Sequence, residues 1–144
     1  LFPYTTLFRS AKIFQCRHLA TIAARYFDSI EIVEAHGSSK VDSPSGTAVN
    51  TAERIAAARE GNIKAPHADQ TARGELIAGV PVHSLRMDGV VAKQDVIFGG
   101  NGETVTITHT TFSNRSYESG IMAALRALRT HRGLTVGLEN VITL

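Results

Sequence analysis

The stretch E-A-H-G-S-S-K-V-D-S-P-S-G-T-A, residues 34 to 48, joins a predicted strand to a predicted helix. The mostly apolar residues 30 to 35 predict a short buried strand, although two of them are glutamates. The polar residues 37 to 45 that follow predict a loop. Ser45 is then the expected N-cap, because its hydroxyl can accept an otherwise unpaired amide of the first helical turn. The stretch therefore predicts a strand, a loop and a helix in immediate succession.

Three features of this stretch bear on chemistry. His36 stands where the strand is predicted to end, and Lys40 follows four residues later in the loop. Gly46 and Thr47 begin the helix, where unpaired amides and the helix dipole favour a carboxylate or a phosphate. Taken singly, a strand-end histidine is more often structural, a loop lysine is usually solvated, and S-G-T is usually a cap. Together they favour an anion pocket with proton donors beside it, and on physical grounds both interpretations stay open.

Helices are predicted on both sides of this strand. Residues 18 to 27 are rich in alanine and predict a helix of about 12 to 16 residues that ends near Asp28. Residues 46 to 60 repeat apolar positions with a 3.6-residue period and predict a second helix. Arg59 is assigned to the solvated face of that helix. Residues 62 to 79 contain proline, glycine and mixed polar residues, and they predict a loop.

Three more strands and a final helix are predicted in the second half of the chain. The strands cover residues 82 to 87, 94 to 98 and 103 to 111, and the helix covers residues 117 to 130. The turn G-G-N-G, residues 99 to 102, predicts that the last two strands form a hairpin. These elements predict an α+β domain with a mixed sheet of about four strands and helices on one face.

The composition indicates a folded domain and argues against several classes of protein. The 144 residues are 43% hydrophobic and 19% charged, which suits one domain with a modest core. A net charge of +2 without a basic stripe argues against nucleic-acid binding. No apolar run approaches the ~20 residues of a membrane span, and the histidines show no metal-site spacing. The single cysteine, Cys16, fits a reducing compartment, so we expect a cytoplasmic protein.

Residues 34 to 48 resemble the signature of the dihydrodipicolinate reductase family, E-x-H-H-x-x-K-x-D-A-P-S-G-T-A. All positions agree except Gly37 and Ser43, which stand where the family has histidine and alanine. Shorter matches follow at R-x-x-G, V-x-F-G, G-E and I-x-H, beginning at residues 86, 96, 102 and 107. The ending G-L-T-V-G-L-E, residues 133 to 139, is typical of actinobacterial-like members.

The resemblance implies a substrate-binding and oligomerisation domain in which each signature residue has a role. His36 would be the general acid, and Lys40 would donate a proton or stabilise the developing charge. Gly46 and Thr47 would bind a substrate carboxylate through their amides and the threonine hydroxyl. Gly37 occupies the position of a histidine that contacts the substrate. The family reduces a cyclic dicarboxylate with NADPH or NADH, in lysine and diaminopimelate biosynthesis, and it is a homotetramer through the sheets of this domain.

The start of the chain departs from the family pattern. The family begins with a Rossmann domain that contains G-x-x-G-x-x-G, and no such motif is found in this sequence. We therefore expect the cofactor to be bound outside this sequence, and the chain alone to be inactive. Residues 1 to 10 resemble a translated sequencing-adapter tract, with an ordinary tail as the alternative, so we exclude them from the fold and predict a truncated gene.

The expected organisation has two parts. Residues 11 to 116 form the substrate-binding domain, and residues 117 to 144 form a helix and tail that would return to the cofactor domain. We expect the tail from residue 134 to make few contacts. We also expect at least two apolar residues of the helix to be substantially exposed. The four candidates are Ile121, Met122, Leu125 and Leu128.

One alternative function from another class stays open. A non-catalytic oligomerisation or anion-binding module could retain the fold without turnover. An in-frame coding region for a Rossmann domain upstream would favour the enzyme, whereas a genuine start codon near Ala11 would favour the module.

Overall fold

The computed structural model describes residues 11–127 and Arg129, so the tail predicted at residues 1 to 10 and the segment from residue 134 lie outside it. Short 3-10 turns at Thr71–Arg73 and Asn114–Tyr117 accompany the helices and strands of the described part. In chain order these are α1 (Ala11–Ala23), β1 (Ser29–His36), α2 (Gly46–Ala57), β2 (Glu75–Ile77), β3 (Val80–Arg86), β4 (Ala92–Gly100), β5 (Glu103–Thr111) and α3 (Glu118–Ala127).

The strands form a mixed sheet in the order β2-β3-β1-β4-β5. β1 and β3 are parallel, and a parallel pair requires a crossover connection, which contains α2. The other pairs are antiparallel and include the predicted hairpin of β4 and β5, which turns at Asn101 and Gly102. The α+β class and the mixed sheet are confirmed, with five strands in place of about four.

The prediction of a loop over residues 62 to 79 is wrong at β2. This strand has three residues at the edge of the sheet, and two of them are exposed, so no alternating apolar pattern marks it. It turns into β3 through Ala78 and Gly79, whose φ angles are 49° and 86°. Turns of this kind favour Asn-Gly or Asp-Gly, and alanine rarely adopts a positive φ. The hairpin therefore has a weak turn signal in the sequence.

The core lies on one face of the sheet, against α1 and α2. Ile30 and Ile32 of β1 are fully buried there with Ala48 and Ala52 of α2. The small alanine side chains allow the helix to pack closely on the strands. The strands contribute further buried residues to this cluster, namely Val80, Val82, Val96 and Phe98. On the opposite face the exposed residues are Leu85 of β3 and four threonines of β5, namely Thr104, Thr106, Thr108 and Thr110. The described helices therefore lie on one face, as predicted.

Arg59, two residues after the end of α2, donates hydrogen bonds to the segment that directly follows α1. The predicted end near Asp28 is wrong, because α1 ends at Ala23. The Arg59 guanidinium donates to the carbonyl oxygen of Ala24 at 2.9 Å and to that of Phe27, and it lies 3.2 Å from the Asp28 carboxylate. Its side chain is only 7% exposed, so the assignment of Arg59 to a solvated face is also wrong.

The helix predicted at residues 117 to 130 is present as α3, with the shorter bounds given above. Three of its large apolar side chains are 37% to 51% exposed, namely Ile121, Met122 and Leu125. This confirms that at least two of the four candidates are substantially exposed, and Leu128 lies outside the described residues. Ala123 and Ala124 of α3 pack instead against Ile13 and Phe14 of α1. The domain boundary at residue 116 stays a prediction.

Replacing Arg59 by methionine tests its capping role, because methionine keeps the apolar stem and removes the donors. The Ala24 carbonyl would lose its guanidinium partner, so we expect the free energy of unfolding to fall by about 1 to 3 kcal/mol. Arg54→Met, on the exposed part of α2, is the matched control, with an expected change within about 0.5 kcal/mol. Urea unfolding followed by circular dichroism measures both variants, and equal losses would contradict the capping role.

Candidate active site

β1 places Glu34 and His36 on the side of the sheet that contacts the helices. Side chains alternate along a strand, so these two residues share a face with Ile30 and Ile32 of the core. The Glu34 side chain is completely buried, whereas that of His36, at the end of the strand, is 13% exposed. This face of β1 therefore changes from apolar to polar as the strand ends.

The buried carboxylate of Glu34 contacts three different parts of the chain. Its Oε2 lies 2.5 Å from Nδ1 of His36. Its Oε1 accepts hydrogen bonds from the backbone amide of Ser45 at 3.1 Å and from Nη2 of Arg86 at 2.8 Å. His36 ends β1, Ser45 directly precedes α2, and Arg86 ends β3. One side chain therefore joins three elements at this edge of the sheet.

Glu34 is charged at neutral pH in spite of its burial. Burial raises the pKa of this carboxyl, but the hydrogen bonds that it accepts, above all those from His36 and Arg86, outweigh that effect. Together they lower the pKa of Glu34 to about 2. A buried charge requires such partners, because an unpaired one would be strongly destabilising.

The loop between β1 and α2 brings Lys40 next to this cluster. Nη2 of Arg86 also donates to the backbone carbonyl of Asp42, at 2.6 Å. The Asp42 carboxylate in turn pairs with the ammonium group of Lys40, whose side chain is 19% exposed. A continuous set of contacts therefore joins His36 to Lys40 through Glu34, Arg86 and Asp42.

Ser45 is the N-cap of α2, as predicted. Its side chain accepts a hydrogen bond from the amide of Ala48 at 3.3 Å. Gly46 and Thr47 occupy the first turn, where amides have no acceptor within the helix and the helix dipole is positive. Because Glu34 binds the Ser45 amide, the carboxylate that contacts His36 also lies at the start of this helix.

Gly37 is closely approached by the backbone of Val90. A Cβ at position 37 would lie 3.1 Å from the Val90 carbonyl oxygen, which is tighter than most such contacts. The carbonyl of Gly37 accepts a hydrogen bond from the amide of Lys40 at 3.0 Å. A histidine at this position, as in the family signature, would therefore require Val90 to shift. The role of Gly37 in substrate binding stays a prediction.

Glu34 and Arg86 are absent from the residues predicted for the site. The sequence does contain a signal for Glu34, because residues two apart in a strand share a face and Glu34 therefore lies on the same face as His36. A glutamate on the buried face of a strand needs a cationic partner, and R-x-x-G was a recognised match. The pairing of Arg86 with Glu34 depends on the parallel register of β1 and β3, which places His36 opposite Arg86.

Other features of the described residues lie away from this cluster. A cavity of about 400 Å³ lies at the opposite end of α2 from Ser45, and its lining includes Ala56, Ile63 and Leu76. Within residues 11–127 and Arg129, no three or more His, Cys, Asp or Glu side chains are grouped to hold a metal ion. No helix in that part of the chain is long and apolar enough to cross a membrane.

Comparison with known proteins identifies the family. The family described as "Dihydrodipicolinate reductase, C-terminus" matches residues 13–142. The chain belongs to this family. A curated relative in Clavibacter michiganensis subsp. michiganensis is called 4-hydroxy-tetrahydrodipicolinate reductase and is 64% identical over 127 residues. That match covers 87% of this chain and 46% of the relative.

Two further members of the dihydrodipicolinate reductase family extend the comparison. A relative with the same name in Mycolicibacterium vanbaalenii is 47% identical over 131 residues, which is 88% of this chain and 54% of the relative. The chain thus spans about half the length of the curated relatives it matches. A solved structure, described as dipicolinate-bound dihydrodipicolinate reductase from Paenisporosarcina sp. TG-14, has a TM-score of 0.77 at 35% identity. The match covers 92% of this chain and 52% of the chain in that structure.

The lowered pKa of Glu34 predicts a loss of stability in acid. The folded-state pKa of about 2 lies below the ordinary value of 4.5, so the stabilisation is present above pH 4.5 and is lost as the pH falls towards 2. The full loss is at most about 3 kcal/mol. Urea unfolding from about pH 5 to about pH 3 measures the acid side of this dependence.

Two variants separate this effect from that of other carboxylates. Glu34→Gln removes the titrating group, so its unfolding free energy should depend less on pH than that of the wild type. Glu31→Gln is the control on the opposite face of β1, and it should change the pH dependence less because Glu31 is 28% exposed. Parallel pH curves for the wild type and Glu34→Gln would contradict the prediction.

Proposed function

We propose that the chain is the substrate-binding domain of a 4-hydroxy-tetrahydrodipicolinate reductase, which adds a hydride and a proton to an unsaturated cyclic dicarboxylate. The observation that carries the proposal is the Glu34 carboxylate, which joins His36 to the start of α2. Support also comes from relatives with this name and from a related structure described as dipicolinate-bound. Dipicolinate is itself a cyclic dicarboxylate, so it has the chemistry expected of the substrate.

The proposed binding groups for the substrate are the start of α2 and Lys40. The amides of Gly46 and Thr47, with the Thr47 hydroxyl, would bind one carboxylate at the positive end of the helix. The Lys40 ammonium would stabilise negative charge on the substrate, and a ligand carboxylate would compete with Asp42 for it. Asp42 is 60% exposed, so this ion pair is weak and its exchange costs little.

His36 is the proposed general acid. A proton must reach the substrate when hydride is added, and an imidazole ring can donate one. His36 lies at the end of β1, where Nδ1 contacts Glu34 and the ring is partly exposed. The remaining ring nitrogen, Nε2, would then deliver the proton. Lys40 would act beside it as a second proton donor or as the stabiliser of the developing charge.

A nicotinamide cofactor, NADPH or NADH, supplies the hydride when it is bound. The described residues do not fit this group, because within them no glycine-rich turn leads directly from a strand into a helix. Gly99, Gly100 and Gly102 belong to the hairpin of β4 and β5. The proposal therefore assigns cofactor binding to residues outside the described part of the chain. The proposal also assigns a homotetramer to the whole enzyme, assembled through the face of the sheet opposite the helices.

Titration with dipicolinate, followed by calorimetry, tests the binding half of the proposal. Lys40→Met should weaken binding by about 10-fold or more, because a charged hydrogen bond contributes roughly 1.5 to 3 kcal/mol. Lys64→Met is the matched control, since Lys64 is 73% exposed and pairs with the surface residue Asp28. Its dissociation constant should stay within about two-fold of the wild type. Failure of the wild-type chain to bind dipicolinate would contradict the proposed function.

The proposed catalytic role of His36 is tested by measuring turnover, which requires a protein that also contains the cofactor-binding part. The chain can be joined to the part of the Clavibacter michiganensis relative that it does not match. In that protein His36→Ala should lower kcat by about 10²-fold or more, the usual scale for a general acid. His18→Ala, at an exposed position of α1, is the control and should keep the rate. An unchanged kcat in His36→Ala would remove this residue from the mechanism.

A further inference from the structure

Strand β1 contributes to two carboxylate–histidine pairs, one on each face of the sheet. Glu34 contacts Nδ1 of His36, whereas Oε2 of Glu31 lies 2.7 Å from Nε2 of His83 on the opposite face. Each glutamate also pairs with an arginine. The two pairs therefore differ in the ring nitrogen that is bound, and Glu34 additionally binds the amide that precedes α2.

We propose that Glu34 is a positioning residue that holds the ring of His36 in its Nδ1–H form, so that Nε2 is the nitrogen that exchanges a proton with the substrate. The inference rests on the proposed function, in which His36 is the general acid for a cyclic dicarboxylate. It assigns a role to a side chain that does not itself touch the substrate.

The protonation form of the ring follows from hydrogen-bond chemistry. An ionised carboxylate can only accept hydrogen bonds, so the imidazole nitrogen that contacts it must donate. The Arg86 guanidinium and the Ser45 amide favour the ionised form of Glu34, because both donate to its other oxygen. A neutral imidazole has one N–H, so an N–H at Nδ1 leaves the lone pair on Nε2. Protonation of the ring then places the transferable proton on Nε2.

The same carboxylate relates the ring to the proposed substrate site. Both oxygens of Glu34 are occupied, so its side chain cannot rotate without losing a bond to His36, Arg86 or Ser45. The Ser45 amide directly precedes the two residues proposed to bind the substrate carboxylate. The ring is therefore held relative to those amides. A general acid needs this fixed position, because a small displacement from the reacting atom slows proton transfer.

Glu34→Gln is expected to move the ring proton of His36 from Nδ1 to Nε2. The glutamine amide has one acceptor oxygen and one donor NH₂ group. Arg86 and the Ser45 amide both require the oxygen, and one of them is charged, so the NH₂ group should face Nδ1 of His36. Nδ1 must then accept, and the ring proton moves to Nε2. A side chain with only a structural role would not produce this exchange.

The experiment is a ¹⁵N–¹H correlation spectrum of the histidine rings in the labelled chain at about pH 9, where ordinary histidines are neutral. We expect His36 to be protonated at Nδ1 in the wild type and at Nε2 in Glu34→Gln. Glu31→Gln is the matched control, which should alter His83 and leave His36 unchanged. If Glu34→Gln does not fold, the wild-type spectrum alone decides.

A wild-type His36 protonated at Nε2 would overturn the inference. Retention of Nδ1–H in a folded Glu34→Gln, or a changed His36 in Glu31→Gln, would overturn it as well. Titration of the same samples with dipicolinate separates this inference from the proposed function. An Nδ1–H ring in a chain that does not bind dipicolinate would refute the proposed function and leave the positioning role intact. Binding of dipicolinate by a chain whose His36 ring carries its proton on Nε2 would refute the positioning role and leave the proposed function intact.

Discussion

The Glu34 carboxylate is buried and ionised, and a charge in such a place is tolerated only where donors surround it. Its donors come from the end of β1, the end of β3 and the residue that precedes α2. The parallel pairing of β1 with β3 brings Arg86 beside His36, and the crossover through α2 brings Ser45 to the same edge. The charge of this side chain therefore depends on the topology of the sheet, which brings its donors together.

The chemistry proposed for this edge follows from a difference between two carboxylates. Glu34 is buried and both of its oxygens are occupied, so it keeps its partners and holds His36 in place. Asp42 is mostly exposed, so it can release Lys40 to a ligand carboxylate at little cost. Burial thus separates a permanent positioning contact from an exchangeable one, although both are ion pairs of an acidic and a basic side chain.

Local signals predict most of the fold. β5 has the predicted bounds, because the alternation of apolar and polar side chains that marks a strand can be recognised from neighbouring residues. α2 begins directly after Ser45, as predicted, because an N-cap is also recognised from neighbouring residues. β2 was not predictable, since it is short and exposed and its turn uses alanine at a positive φ. The end of α1 was not predictable either, because the donor to Ala24 comes from Arg59, 35 residues later.

By itself the sequence determined the family and the stretch to which the chemistry is assigned in our proposal, because His36, Lys40 and the start of α2 lie within one short, recognisable pattern. Alternation in β1 already placed Glu34 on the face of His36. Only the tertiary structure decided which ring nitrogen Glu34 contacts and which donors keep it charged. Those donors are 11 and 52 residues away from Glu34, and their approach depends on strand register and on the crossover, which no local periodicity encodes.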